Sequence, residues 1–214
     1  VMSRDLEHWV RLGDRKPFIP PSDTRNGRIG VYDRTQLLAA NRPLVREKEL
    51  WFYYSALKWR DDIYGLTLDG TPRDPGTLSP EDKADQQDGW GAICLAVLRR
   101  DGFVSLHAGE EGVITTKPIL AGGKHLYLNA AAKGSISVEV LGRNGGPLPG
   151  YAEKDSVPVT TDDVRLPVKW KGSDALPDTI PPQASDAAPP EAFTSPVCLR
   201  IHLKNADLYS FWVE

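Results

Sequence analysis

The chain has 214 residues, more than a typical domain of ~100–150 residues, so one large all-β unit or two smaller domains are both open to it. Hydrophobic residues at 40% and charged residues at 26% exclude global disorder and a collagen-like fibre. Lys plus Arg number 26 against 29 Asp plus Glu, a net charge of −3, so no basic footprint exists and nucleic acid is not an expected partner; no apolar run approaches the ~18 residues of a bilayer-spanning helix, so a soluble chain with no membrane partner is expected.

Residues 1–12 read as a hairpin whose turn is Asp5-Leu6-Glu7, with the Asp5 carboxylate accepting backbone N–H groups. A polar, Pro-rich connection over 13–27 leads to a short buried strand at 29–32, and residues 37–40 predict one helical turn. The aromatic run over 50–56 is the strongest strand in the sequence, because aromatic side chains suit a pleated, half-buried surface. Residues 57–90 form a connection too long for a passive turn. Strands at 92–98 and 103–106 follow, separated by Arg99-Arg100-Asp101-Gly102. Ordered as 29–32, 50–56, 92–98 and 103–106, these strands make one four-stranded propeller blade, so residues 1–108 are expected to hold an incomplete β-propeller-like sheet. Because Val1-Met2-Ser3 opens mid-pattern, the chain reads as a fragment or processed piece.

Beyond a boundary near 107–112 the texture changes to short strands at 113–119, 124–131, 135–142, 164–170, 197–203 and 207–213. Regular strand spacing with Gly turns predicts a β-sandwich over 109–214, interrupted by a Pro-rich loop at 173–196. Ala121-Gly122-Gly123-Lys124 lacks the spacing and following helix of a phosphate loop and is read as a tight hairpin turn. The fold class is therefore all-β.

Candidate chemistry is sparse. Cys94 and Cys198 each sit in an apolar alternating run, which favours two buried thiols over a disulfide or zinc site. His8, His107, His125 and His202 are dispersed, with no paired spacing for a metal, and no cofactor motif is present. The carboxylate candidates for acid–base work are Asp61 and Asp62 beside Trp59, with Asp33, Glu81-Asp82 and Glu110-Glu111 behind them. If 57–90 is a blade loop, it lies at the channel mouth near residues 14–28. Trp59 would then stack on a sugar while Asp61, Asp62 and Arg28 take its hydroxyls. Against that stands the plainer reading, in which Trp59 packs the loop and the charges are solvated. Trp170 and Trp212 occupy strand positions that suit either a core or an exposed sugar platform.

Ser3-x-Asp5-x-x-x-Trp9 resembles the blade turn of bacterial β-propeller glycosidases of the arabinanase, xylosidase and β-fructosidase type, and Leu50-Trp51-Phe52-Tyr53-Tyr54-Ser55 resembles their second blade strand. With Leu98-Arg99-Arg100-Asp101-Gly102-Phe103, Thr115-Thr116-Lys117-Pro118 and the ending Leu199-Arg200-Ile201-His202-Leu203-Lys204-Asn205-Ala206-Asp207-Leu208-Tyr209-Ser210-Phe211, the chain looks like the C-terminal part of such a five-bladed propeller followed by its sandwich. The resemblance implies a carbohydrate-active protein, the C-terminal portion of a glycoside hydrolase acting on oligo- or polysaccharide through carboxylates, short of its full catalytic set. The alternative is a non-catalytic carbohydrate-binding or structural β-sandwich module. An incomplete blade set would leave apolar surface around Trp51–Tyr54 in water, so self-association is expected.

Overall fold

The computed structural model describes residues 2–3, 5–12, 15–22, 32–33, 36–57, 91–142, 144–177 and 196–214. The fold is all-β, and contacts divide the chain into two units, Val1–Arg100 and Asp101–Glu214. Each has its own sheet.

In the first unit, β1 (Gln36–Ala39), β2 (Leu44–Val45), β3 (Glu49–Leu57) and β4 (Gly91–Arg99) form an antiparallel sheet in which β3 is central. The β3–β4 ladder runs without a break from Glu49↔Arg99 to Leu57↔Gly91. β1 and β2 share the other edge of β3, through Leu37↔Ala56 and Leu44↔Trp51 among others. The sheet has four strands, as expected, but two of them are not those predicted. Residues 37–40 are not a helical turn: β3 offers residues 36–39 a ladder of N–H and C=O partners, and this tertiary pairing overrides the local helix propensity of Leu and Ala. Phe103 and Val104 do not form an outer strand; they follow a turn in which Asp101 has φ 56°, and Leu106 instead opens a strand of the second unit. Residues 29–31 of the predicted inner strand lie outside the described residues.

The terminal hairpin forms as expected, with Met2 and Val10 exchanging N–H···O bonds of 2.8 Å. Asp5 Oδ1 accepts the N–H groups of Glu7 at 3.0 Å and His8 at 2.8 Å, while Oδ2 meets His8 Nδ1 at 2.7 Å. Those bonds, that from the His8 backbone above all, hold the Asp5 carboxyl well below the usual carboxylate range.

Alternation along β3 buries Leu50, Tyr54 and Ala56 on one face. The other face carries Tyr53 with Ile93, Leu95 and Val97, all exposed, Ile93 by 72%. A sheet face that meets water is ordinarily polar. This one is apolar.

The second unit contains β5 (Leu106–Thr115), β6 (Ile119–Leu120), β7 (Leu126–Leu141), β8 (Ser156–Val157), β9 (Asp162–Pro167), β10 (Lys169–Trp170) and β11 (Pro196–Val213). A five-stranded antiparallel sheet has the order β5-β11-β7-β9, with β6 pairing β11, and β8 and β10 form a separate two-stranded ribbon. β5 runs through residues 107–112, where the sequence had suggested a boundary.

Two strands replace four. The runs expected at 124–131 and 135–142 are both parts of β7, and those at 197–203 and 207–213 are both parts of β11. The sequence interrupts each because the sheet bends there. Asn205, at φ 42°, stands alone where β7 places two residues, Lys133 and Gly134, and where β5 places Gly109 and Glu110. A Cβ on Gly134 would lie 2.3 Å from the Lys204 carbonyl oxygen, so only glycine allows this approach. The irregularity switches the core-facing positions of β11 from Val197, Leu199, Ile201 and Leu203 to Ala206 and Leu208. A second shift, between Leu208 and Ser210, returns Phe211 and Val213 to the core. Those residues meet Leu126, Leu128, Ile136, Val138 and Val140 of β7 in one enclosed apolar cluster.

Trp170 of the ribbon belongs to this core, and Val138 bonds the ribbon from both sides: its N–H donates to Ser156 Oγ at 3.0 Å, and its carbonyl accepts the Trp170 indole N–H at 2.8 Å. Both polar groups of a buried backbone unit are thus satisfied. The two thiols, Cys94 and Cys198, are free, and both are half-buried rather than buried.

Candidate functional site

Asp61, Asp62, Arg28 and Trp59, the residues singled out for catalysis and sugar contact, lie outside the described residues, as do Glu81 and Asp82. Of the remaining carboxylates, Asp33 accepts the Tyr54 hydroxyl at 3.4 Å, and burial first, then Asp33 and Cys94, push the Tyr54 phenol up. Glu111 faces Lys204 at 3.8 Å on the exposed β5–β11 surface.

The two tryptophans of the second unit separate cleanly. Trp170 is core, 3% exposed, its edge packed against Tyr151 at 5.0 Å. Trp212 lies on the opposite face of the sheet, where strand alternation brings together a row of side chains across β9, β7 and β11. Cross-strand pairing sets Trp212 beside Tyr127, with ring centroids 5.7 Å apart and planes 20° from parallel. The Arg165 guanidinium lies 4.1 Å from the Tyr127 centroid and 5.9 Å from that of Trp212, so it borders both rings. β5 stops pairing β11 at Leu208, so among the described residues no strand covers that edge of β11 beside Trp212.

Glu214 locks this row. Its carboxylate accepts Arg165 Nη1 at 2.8 Å, Arg165 Nη2, and the Trp212 indole N–H at 2.8 Å. Arg165 first, then Trp212, bring the Glu214 carboxyl down to about 2, and Arg165 is correspondingly raised. The backbone of Glu214 is fixed as well: its carbonyl accepts the N–H groups of Lys124 and His125, each at 2.7 Å, and its N–H donates to His125 at 2.9 Å. Gly123 makes room for it, since a Cβ there would lie 2.4 Å from the Glu214 carbonyl oxygen. The Gly122-Gly123 segment is a bend that seats Glu214 and not the tight hairpin turn expected, because β6 and β7 on either side of it pair β11 and not each other.

An open cleft of about 400 Å³ borders the row, lined by His125, Tyr127, Arg165, Pro167, Lys169 and Asp174 among others. Tyr127 and Pro167 are cross-strand partners and supply apolar surface. His125 Nδ1 lies 2.9 Å from the Asp174 carbonyl, which ties the loop after β10 to the start of β7. Sequence reasoning found Trp212 but missed Tyr127, Arg165, Lys169, Asp174 and Glu214. Part of the signal was there: Arg165, Pro167 and Lys169, like Trp212 and Glu214, are spaced by two and share a strand face.

A second polar cluster occupies the same face of β7 and β11. Glu139, 6% exposed, accepts Arg200 Nη1 at 3.0 Å and the Glu153 N–H at 3.1 Å, and pairs with His202 Nε2 at 3.1 Å. Burial works to raise its carboxyl, but His202, the Glu153 N–H and Arg200 together outweigh that and hold it below the ordinary value. Such an arrangement keeps the carboxylate ionised and anchors the 3₁₀ turn Glu153–Asp155 to the sheet. Among the described residues no group of three or more His, Cys, Asp or Glu side chains could hold a metal, and no helix is long and apolar enough to cross a membrane.

No family model, no curated protein and no solved structure matches this chain.

Proposed function

We propose that the chain is a carbohydrate-binding protein whose Asp101–Glu214 unit presents the binding surface, the non-catalytic of the two readings the sequence allows. The supporting observation is the Arg165–Tyr127–Trp212 row, pinned by Glu214 and bordered by a cleft with both apolar and charged lining. A sugar offers an apolar C–H face and a rim of hydroxyls, so it suits an aromatic surface flanked by donors and acceptors. Fixing the side chains in advance lowers the ordering cost of binding. The resemblance to β-propeller glycosidases points to the same ligand class.

The hydrolytic reading requires one carboxylic acid kept protonated beside a second carboxylate. Among the described residues the one buried carboxylate is Glu139, and its partners favour the charged form. That is the opposite of what a general acid needs. Hydrolysis therefore rests on carboxylates outside the described residues, Asp61 and Asp62 with Arg28 and Trp59 as their substrate contacts, or Glu81 and Asp82, and what is described supports binding.

Affinity electrophoresis in native gels containing soluble polysaccharides tests the proposal. The chain is expected to be retarded in at least one polysaccharide gel, and Trp212→Ala is expected to migrate as in the gel without polysaccharide. Unchanged mobility of the wild-type chain across neutral and acidic polysaccharides would refute it.

A further inference from the structure

Three polar groups at the cleft have no hydrogen-bond or ion-pair partner among the described residues: the Lys169 ammonium, the Asp174 carboxylate and Nε2 of His125. His125 Nδ1 is committed to the Asp174 carbonyl at 2.9 Å. A carbonyl only accepts, so Nδ1 carries the ring proton, and in the neutral imidazole Nε2 is an acceptor. The remaining charge, Arg165, is closed by the bidentate contact with Glu214. What stays available is one cationic donor, one anionic acceptor and one neutral acceptor, with a net charge of zero.

On the carbohydrate reading above, we infer that the cleft takes a neutral sugar through a vicinal diol. A hydroxyl both donates and accepts, so one member of the diol accepts from Lys169 while its neighbour donates to Asp174. The ring's C–H face then lies on Tyr127 and Pro167, and His125 Nε2 accepts from a further hydroxyl. A uronic acid fits less well: its carboxylate gains Lys169 but is set against Asp174, and Arg165 cannot compensate while Glu214 holds it. A volume of about 400 Å³ lies at the low end of ligand pockets, which run from ~300 to 1,000 Å³, and suits a chain end better than a long internal segment.

The test is calorimetric titration of the full chain with four probes: neutral methyl pyranosides, their deoxy analogues lacking one diol hydroxyl, the matching methyl uronates, and glycine as a small zwitterion. Neutral glycosides are expected to bind. Loss of one diol hydroxyl should weaken binding about tenfold, because a charged group, Lys169 or Asp174, loses its hydrogen bond to the sugar. Uronates should be weaker by about tenfold, and glycine should not compete. Lys169→Ala and Asp174→Asn should each lose about tenfold in affinity at unchanged melting temperature, while Lys117→Ala, outside the cleft, should bind as wild type. Uronates binding as tightly as neutral glycosides, or glycine displacing them, would overturn the diol assignment and leave the carbohydrate reading standing. Failure of every saccharide to bind would overturn the reading and this inference with it.

Discussion

The two units are built from similar strands, yet they treat their sheet faces in opposite ways. In Asp101–Glu214, alternation along β7 and β11 sends one set of side chains into an enclosed core and leaves the other face to Arg200, Glu139, His202, Tyr127 and Trp212, each with a defined partner. In Val1–Arg100 both faces of the β3–β4 pair are apolar; among the described residues of this unit only Leu50, Tyr54 and Ala56 are buried, while Ile93, Leu95 and Val97 face water. An enclosed face specifies packing, and an outer face with paired charges specifies chemistry. An outer face that is simply apolar specifies a need for cover.

That contrast can be tested from its strongest side first. Leu199, fully buried at the centre of the second unit, should cost about 3 kcal/mol when changed to alanine, through lost burial and the cavity left behind. The same truncation at Val97, 50% exposed, should fall within ~0.5 kcal/mol by thermal or urea unfolding. A cost at Val97 as large as at Leu199 would show that the open face is covered after all. Next comes the bend: Gly134→Ala should destabilise by about 2 kcal/mol because its Cβ would meet the Lys204 carbonyl at 2.3 Å. Gly109→Ala, across the same bend with open space around it, should be close to neutral.

Glu139→Gln should cost about 1.5 kcal/mol, since Arg200 and His202 would lose their anionic partner in a half-buried setting. Its carboxyl lies below the ordinary value in the folded chain, so the stability it contributes is complete above its unfolded pKa and disappears as pH falls through the folded one. The same sign holds for Glu214. Its contact with Arg165 should persist above pH 4.5 and be lost as the pH falls toward 2, seen as a change in tryptophan emission that is absent in Trp212→Phe. The smallest effect on stability is expected from Leu95→Lys with Ile93→Lys. Unfolding should barely change, while light scattering at micromolar concentration should shift from self-associated to monomeric species. A wild-type chain already monomeric would remove the need for cover.

Much of this contrast was legible in the sequence, and the failures have physical causes. Aromatic and β-branched runs announced β3 and β4, and the Asp5 turn was readable because a carboxylate at that place caps the N–H groups of Glu7 and His8. β7 and β11 were each read as two strands because Gly134 and Asn205 carry the local marks of a turn. They mark a bend instead, visible only when three strands are set side by side. Residues 37–40 looked helical because nothing local reveals the ladder that β3 offers to residues 36–39. For the site, Trp212 and Trp170 were indistinguishable by composition. What separates them is register, Trp212 falling opposite Tyr127 and Trp170 reaching the Val138 carbonyl. Arg165 and Glu214 are 49 positions apart, and no spacing rule joins them.

The most direct test of the binding surface is the indole N–H resonance of Trp212, assigned through Trp212→Phe and followed by NMR while a neutral oligosaccharide is added. A saturable shift of that resonance is expected, because Nε1 is bonded to Glu214 at the edge of the row, with no shift of the Trp170 indole buried against Val138. Saccharide binding that leaves the Trp212 signal unmoved would contradict the proposed surface.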